Sequence, residues 1–203
     1  MSEPFWEAGY RDAIGPSVFG PPSKEIMELV PKLPADAKAL DLGCGDGRNA
    51  LYLLERGIRV TAVDVSANAV ARLTAQAEAY GHRLIAEVAD VRLYRIAERF
   101  ELVTAHGVLH LMPRPDWHRL ICNMQEHTAP LGYNVVAVFT DALPPPDDLR
   151  PFMAGLFREG ELREQYQGWN VRDYRSYVLE DEHPGGVRHR HAVNKIVAQA
   201  AEA

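Results

Sequence analysis

Short apolar runs alternate along this chain with segments whose apolar residues recur every three to four positions, and that alternation predicts an α/β fold. The runs at 37–42, 59–64, 84–88, 100–105 and 133–139 have the length and β-branched content of strands. The last of them is almost wholly apolar, as a strand buried on both faces requires. Between the runs, Leu51 and Leu54 mark a helix over 49–56 that stops at Gly57. Ser66 is a good N-cap for a helix carrying Val70, Leu73 and Ala77 and ending at Gly81. Trp117, Leu120, Ile121 and Met124 stand at i, i+3, i+4 and i+7 of another helix and face its core. The tail reads as two strands, 171–179 and 188–198, joined by the turn His183-Pro184-Gly185-Gly186. The sum is a doubly wound, mostly parallel seven-stranded sheet with an antiparallel C-terminal hairpin, in one domain over 1–203.

Composition narrows this reading without redirecting it. A chain of 203 residues, 47% hydrophobic and 25% charged, buries a core without disulfides or metals. A net charge of −6 argues against a nucleic-acid partner, which needs a clustered basic face. Two cysteines suit a reducing compartment, and the first residues have neither the basic region nor the apolar stretch of a signal peptide. No apolar run approaches membrane-spanning length, so the expectation is a cytoplasmic monomer or homodimer with no membrane partner.

The candidate chemistry begins where the first predicted strand runs into Leu40-Asp41-Leu42-Gly43-Cys44-Gly45-Asp46-Gly47. A turn built for a dinucleotide carries G-x-G-x-x-G, so that backbone approaches a pyrophosphate at a helix N-terminus. Here Arg48 takes the place of the third glycine of that pattern, and Asp41 would repel a pyrophosphate. S-adenosylmethionine fits instead. Its ammonium suits Asp41, its carboxylate suits the loop amides, and its ribose hydroxyls, both donors, suit Asp64 at the end of the second strand. Asp90, closing the third run, is placed to accept from the adenine amine. One such acid alone is more often a turn former or helix cap; three in this order after a glycine loop carry the cofactor reading. Val65 and Val91, which follow two of these acids, and His106, which follows the fourth strand, count with the cofactor site.

Three stretches fall outside the repeating unit: 1–30, the loop near 140–148 with Pro144-Pro145-Pro146, and the tail from about 171. Ligands of open α/β sheets bind beyond the carboxyl ends of the strands, so these stretches are expected to shape the pocket of the second substrate. Residues 1–30 are read as a lid or helix carrying Phe5, Trp6 and Tyr10, and 140–170 and 180–190 as acceptor-site insertions. Tyr10 is a substrate-side candidate whose ring suits a sulfonium. His106 reads equally as an acceptor-binding donor, as a general base, or as a hydrogen-bonded structural histidine. His110, His118, His127, His189 and His191 have no ligand spacing, so no metal is expected. Cys44, inside the cofactor loop, reads as a small packing residue.

Asp41-Leu42-Gly43-Cys44-Gly45-Asp46-Gly47-Arg48-Asn49, followed by Leu51-Tyr52-Leu53, resembles the tellurite-resistance methyltransferases of bacteria. So do Asn123-Met124-Gln125 with Thr128, Pro130 and Gly132-Tyr133-Asn134, and Phe157-Arg158-Glu159-Gly160-Glu161-Leu162-Arg163 with Tyr166 and Gly168-Trp169. The resemblance covers about 38–170 and implies a class I S-adenosylmethionine-dependent methyltransferase that releases S-adenosylhomocysteine. It adds Arg48 and Asn49 to the cofactor loop and implies a tellurite- or selenite-type oxyanion as acceptor. A thiol, or an oxygen or nitrogen of another small molecule, is the alternative. The methyl donor is already activated, so the protein's task is alignment, for which well-oriented reactants gain about 7–11 kcal/mol. An oxyanion needs cations rather than a base, and His183, Arg188, Arg158 and Arg190 are the candidates. Departures from the family pattern are Val63 for a Trp, Leu131 for a Gly, the histidines after the fourth strand, and a hairpin in which only His183 and Arg188 match, with Arg190 as a substitute. A nicotinamide oxidoreductase is disfavoured by Asp41 and Arg48; a non-catalytic cofactor-binding module is separated by turnover.

Overall fold

The computed structural model describes residues 4–12, 15, 17–183 and 187–202. Strands β1 (Lys38–Leu42), β2 (Arg59–Asp64), β3 (Leu84–Val88), β4 (Phe100–His106), β5 (Thr128–Phe139), β6 (Asn170–His183) and β7 (Val187–Gln199) form one sheet in the order β3-β2-β1-β4-β5-β7-β6. The first five strands are parallel, and β7 runs antiparallel to both β5 and β6. The expected sheet is therefore the observed one.

Helices cover both faces because successive residues of each central strand bury opposite ways. On one face Leu102, Val135 and Val197 meet α2 (Lys24–Leu29), α3 (Arg48–Glu55) and α4 (Ala67–Gln76) through Ile26, Leu29, Leu53, Leu54 and Leu73. On the other, Val103, Val136 and Ile196 meet α5 (Arg114–Glu126) and the short α6 (Glu161–Glu164) through Trp117, Ile121, Met124 and Leu162, with Phe157 of the segment before α6. Trp117 stacks on Phe157 at 4.0 Å between ring centroids, and truncating an aromatic so placed costs about 3–5 kcal/mol. The remaining helix, α1 (Phe5–Asp12), lies against α4.

The elements differ from expectation mainly at their ends. The helix after Ser66 stops at Gln76, and the chain goes on through a 3-10 turn over Glu78–Arg83 that Gly81 breaks at φ +55°. The fifth strand starts at Thr128 rather than 133, because Phe100 pairs with Thr128 and Leu102 with Tyr133. The intervening residues form a bulge, in which Leu131 adopts φ +60°. The hairpin strands are longer than predicted, pairing from Asn170↔Gln199 to His183↔Val187; the turn residues 184–186 lie outside the described residues.

This topology gathers chemistry at one end. Phe139, the last residue of β5, pairs with Val193, so the β7 residues before Val193 project past the carboxyl edge of the parallel strands. The loop after β5 folds over the same edge, with Thr140 bridged to Phe157.

Candidate active site

The glycine loop is closed on every side. Gly43 and Cys44 both donate to the carbonyl of Val63, at 2.8 and 3.1 Å, which locks the turn to the end of β2. Gly43, Gly45 and Gly47 have φ of +71°, +54° and +92°. A Cβ at Gly45 would stand 2.7 Å from the Tyr10 hydroxyl oxygen, and one at Gly47 would stand 2.4 Å from Leu73 Cδ1. Both conformation and space thus demand glycine. Gly47 in its left-handed conformation opens α3, with Arg48 and Asn49 in its first turn. Cys44 is buried in the core under the loop, and burial pushes its thiol up.

Asp64 braces this loop: its carboxylate accepts the N–H of Gly45 at 2.8 Å and that of Ser66 at 2.9 Å. Burial raises its pKa, and those two amides pull it back down. Asp41, 1% exposed, is raised to about 7, first by burial, with Arg48 opposing and Asp64 assisting. Asp46 turns the other way. It accepts from Ser17 Oγ and from the Val18 N–H, both at 2.7 Å, and so ties the segment before α2 to the loop.

Three buried polar atoms without a hydrogen-bond partner stand together here: Asp41 Oδ2, Thr104 Oγ1 and His106 Nε2. Asp41 and Thr104 are direct cross-strand partners, and His106 follows Thr104 by two positions on the same face. Orphaned polar groups in a core are costly, so three at one spot mark a place for a ligand. Burial first, then the charges of Arg48 and Lys195, push the His106 imidazole down to about 3, so it is neutral near pH 7.

The row across the sheet continues from His106 to Ala137 of β5, Lys195 of β7 and Arg175 of β6. Lys195 Nζ lies 3.0 Å from Glu25 of α2, Arg175 lies 3.8 Å from the same carboxylate, and Ser23 Oγ donates to it at 2.6 Å. Burial raises the Glu25 pKa, but the Ser23 hydroxyl, its own backbone amide and Lys195 outweigh that and hold it at about 2. Asn49 accepts the Ser23 N–H at 2.9 Å, which joins this network to the glycine loop.

The predicted residues divide into two groups. Asp41, Gly43, Cys44, Gly45, Gly47, Arg48, Asn49, Asp64, His106 and Tyr10 converge on the loop; Tyr10 is buried over Gly45, and the Glu7 carboxylate one turn earlier accepts from Asn68 of α4 at 2.9 Å. Val65 is 63% exposed beside them, an open apolar surface next to Asp64, and Val91 is buried. Asp90 faces the Arg92 guanidinium at 2.9–3.0 Å, a contact that holds its carboxyl down. Arg158 is elsewhere: its guanidinium meets Glu161 at 3.3 Å and Glu164 at 3.0 Å, on the α5 side of the sheet. Arg190 and Arg188 stand on the projecting part of β7, Arg190 3.4 Å from Glu180. The His183 side chain lies outside the described residues.

Glu25, Thr104 and Lys195 were not among the candidates. Lys195 had a signal, a lone cation within the apolar run Ala192-Val193-Asn194-Lys195-Ile196-Val197; Glu25 and Thr104 had none. His110, set aside in the sequence, is buried with its imidazole pushed to about 3 by burial and His191, and accepts the Phe139 N–H through Nδ1 at 3.1 Å. Phe139 is sandwiched between the rings of His110 and His191, each at 4.1 Å. Among the described residues no group of His, Cys, Asp and Glu is arranged to hold a metal ion, and no helix is long and apolar enough to cross a membrane.

The strand order, the glycine turn after β1 and the acid at the end of β2 define a class I S-adenosylmethionine-dependent methyltransferase fold. Residues 21–189 match the family described as "Tellurite resistance protein TehB", and the chain belongs to that family. A protein of Haemophilus influenzae (strain 10810) named "Probable S-adenosyl-L-methionine-dependent methyltransferase TehB" is 35% identical over 151 residues, 73% of this chain and 51% of that relative. The chain thus spans about half the length of this curated relative. A 2-heptyl-1-hydroxyquinolin-4(1H)-one methyltransferase of Mycobacteroides abscessus is 30% identical over 181 residues, 83% of this chain and 77% of the relative. The crystal structure of TehB from Haemophilus influenzae superposes with a TM-score of 0.77 at 28% identity, covering 88% of this chain and 62% of the other.

Proposed function

We propose that the chain transfers a methyl group from S-adenosylmethionine to a small-molecule acceptor, a tellurite- or selenite-type oxyanion or another soft nucleophile. The observation that carries this reading is the trio of unpartnered buried atoms, Asp41 Oδ2, Thr104 Oγ1 and His106 Nε2, beside a glycine loop over which Tyr10 lies. When bound, the cofactor supplies a methyl group on a sulfonium, activated without further help from the protein.

The chain's own residues then bind and align. Asp41 takes the ammonium, Asp64 the ribose hydroxyls, and the open face of Val65 the adenine. Asp90, both of whose oxygens accept from Arg92, reaches the adenine amine only by sharing them. Tyr10, over Gly45, makes α1 a lid on this site, and the edge-to-face contact of Trp6 with Phe152, 5.4 Å between centroids, joins that lid to the loop after β5. His106, kept neutral, serves as a hydrogen-bond partner for the acceptor rather than as a cation. His183, Arg188 and Arg190, on the projecting hairpin, remain the candidate cations from that side.

A second reading is methyl transfer to an organic hydroxyl or thiol. Phe139, Leu143, Pro144, Met153, Leu156 and Arg190 gather beyond β5 around a cavity of about 10 Å³, room for about one water, so an organic acceptor there needs the loop after β5 to open. The Mycobacteroides relative, named for a hydroxyquinolinone, fits that chemistry.

The test is calorimetric titration of S-adenosylmethionine and S-adenosylhomocysteine into wild type and Asp64→Ala, followed by S-adenosylhomocysteine release with tellurite, selenite, a thiol and a hydroxyquinolinone. Micromolar binding that the variant loses, with turnover on one acceptor, is the expected result. Absence of binding to wild type refutes the reading.

A further inference from the structure

We propose that Lys195 selects the acceptor, its ammonium binding an ionised oxygen in a notch over Ala137, opposite His106. This rests on the methyltransferase reading and names the acceptor's head group within it. The geometry begins with one row of the sheet, His106↔Ala137↔Lys195, whose three side chains share the face of α2 and α3. Adjacent strands are about 4.8 Å apart, so the two flanking residues stand about 10 Å from each other across an alanine. Ala137 remains partly exposed although Val135, two positions earlier on the same face, is fully buried, which leaves room above Ala137 for a small group.

The walls of the notch differ in charge. His106 offers a buried Nε2 that no other group contacts by hydrogen bond. Lys195 is held by Glu25, which is itself anchored through Ser23 to Asn49 at the start of α3. Only one of the three ammonium donors is spent on that carboxylate, so two remain for a ligand. Lys195 and Arg175 face Glu25, Arg175 also meets Asp173 at 2.8 Å, and Arg48 acts on Asp41, so the fixed charges around the notch are paired. The unspent N–H donors of Lys195 suit an ionised oxygen, and a cationic acceptor would meet their repulsion.

The test uses S-adenosylhomocysteine-saturated protein, with selenite and 1-hydroxyquinolin-4(1H)-one as the titrated probes, in wild type, Lys195→Ala, Lys195→Arg and Ala137→Leu. Lys195→Ala is expected to weaken the bound probe at least 30-fold while S-adenosylhomocysteine affinity stays close to wild type; Tm falls, because buried Glu25 loses its ammonium partner. Lys195→Arg should retain binding within about fivefold, and Ala137→Leu, which keeps the charge but fills the notch, should lose it. Equal probe affinity in wild type and Lys195→Ala overturns the assignment, as does failure of wild type to bind either probe. An equal fall in S-adenosylhomocysteine affinity places Lys195 on the cofactor and also overturns it. Wild type that does not bind S-adenosylhomocysteine at all removes the methyltransferase reading, and this inference with it.

Discussion

Asp41 is a carboxylate waiting for a cation. Its pKa of about 7 means that near neutrality it is about half protonated, and a bound ammonium would favour the ionised form. Binding below pH 7 must therefore expel a proton, and affinity for S-adenosylmethionine should rise with pH toward about 7. Calorimetry at pH 6 in buffers of different ionisation enthalpy should register close to one proton released per ligand bound. Asp41→Asn should release none and bind at least tenfold more weakly; a pH-independent wild-type affinity would sink the assignment. Leu131 poses the opposite problem, a side chain where backbone geometry asks for none. At φ +60° and 49% exposed, it bears strain of about 1–2 kcal/mol with only half its surface buried in return. Leu131→Gly loses part of that gain to the greater freedom of the unfolded chain, so a net stabilisation of about 0.5–1 kcal/mol is expected. A thermal melt should show Tm rising by about 2 °C.

Elements were legible where their signals are local. The central strands and the α5 stripe came directly from periodicity, and Ser66 caps α4 as its side chain suggested, its Oγ accepting the Ala69 N–H at 3.1 Å. Ser66 is buried, so Ser66→Ala leaves that amide without a replacement from water and should cost about 1–2 kcal/mol, read as a lower urea midpoint with an unchanged m-value. Element ends were less legible, because they depend on partners distant in sequence. The bulge that starts β5 early exists through pairing with β4, and the long hairpin through antiparallel pairing along its whole length. The N-terminal helices have no repeating unit to announce them, and their placement follows from contacts such as Glu7 with Asn68 and Glu25 with Lys195.

For the whole molecule, these buried groups predict how stability responds to acid. His106 and His110 have folded pKa values of about 3, so each contributes stability in full above about 6.5 and loses it as pH falls toward 3. Asp41, raised to about 7, acts in reverse: the folded state holds its proton, and stability is lost as pH rises from about 4 to 7. Near pH 5 the unfolded chain thus takes up about two protons on these groups where the folded chain holds about one. Unfolding free energy should fall by up to about 1.4 kcal/mol per unit as pH drops below 6.5. Asp64, raised as well, blunts the slope lower down. Urea melts between pH 6.5 and 5 measure it directly, and Asp41→Asn should steepen it toward two protons. A flat wild-type profile would mean that the histidines reach water.

What the sequence by itself determined was the α/β alternation, the glycine turn with its acids at successive strand ends, and the family that those residues resemble. Each of these is written in residues close together in the chain, where spacing alone decides which face or turn a side chain occupies. Only the tertiary structure decided which distant side chains share a chamber. Strand order and register set Asp41 beside Thr104 and bring His106, Ala137 and Lys195 into one row. Arg158 and Asp90 are instead engaged by charges near them in sequence, Arg158 by Glu161 and Glu164 and Asp90 by Arg92. A row across a sheet joins residues from separate strands, so their meeting is a property of the pairing and of the burial that makes it pay, which no local pattern encodes.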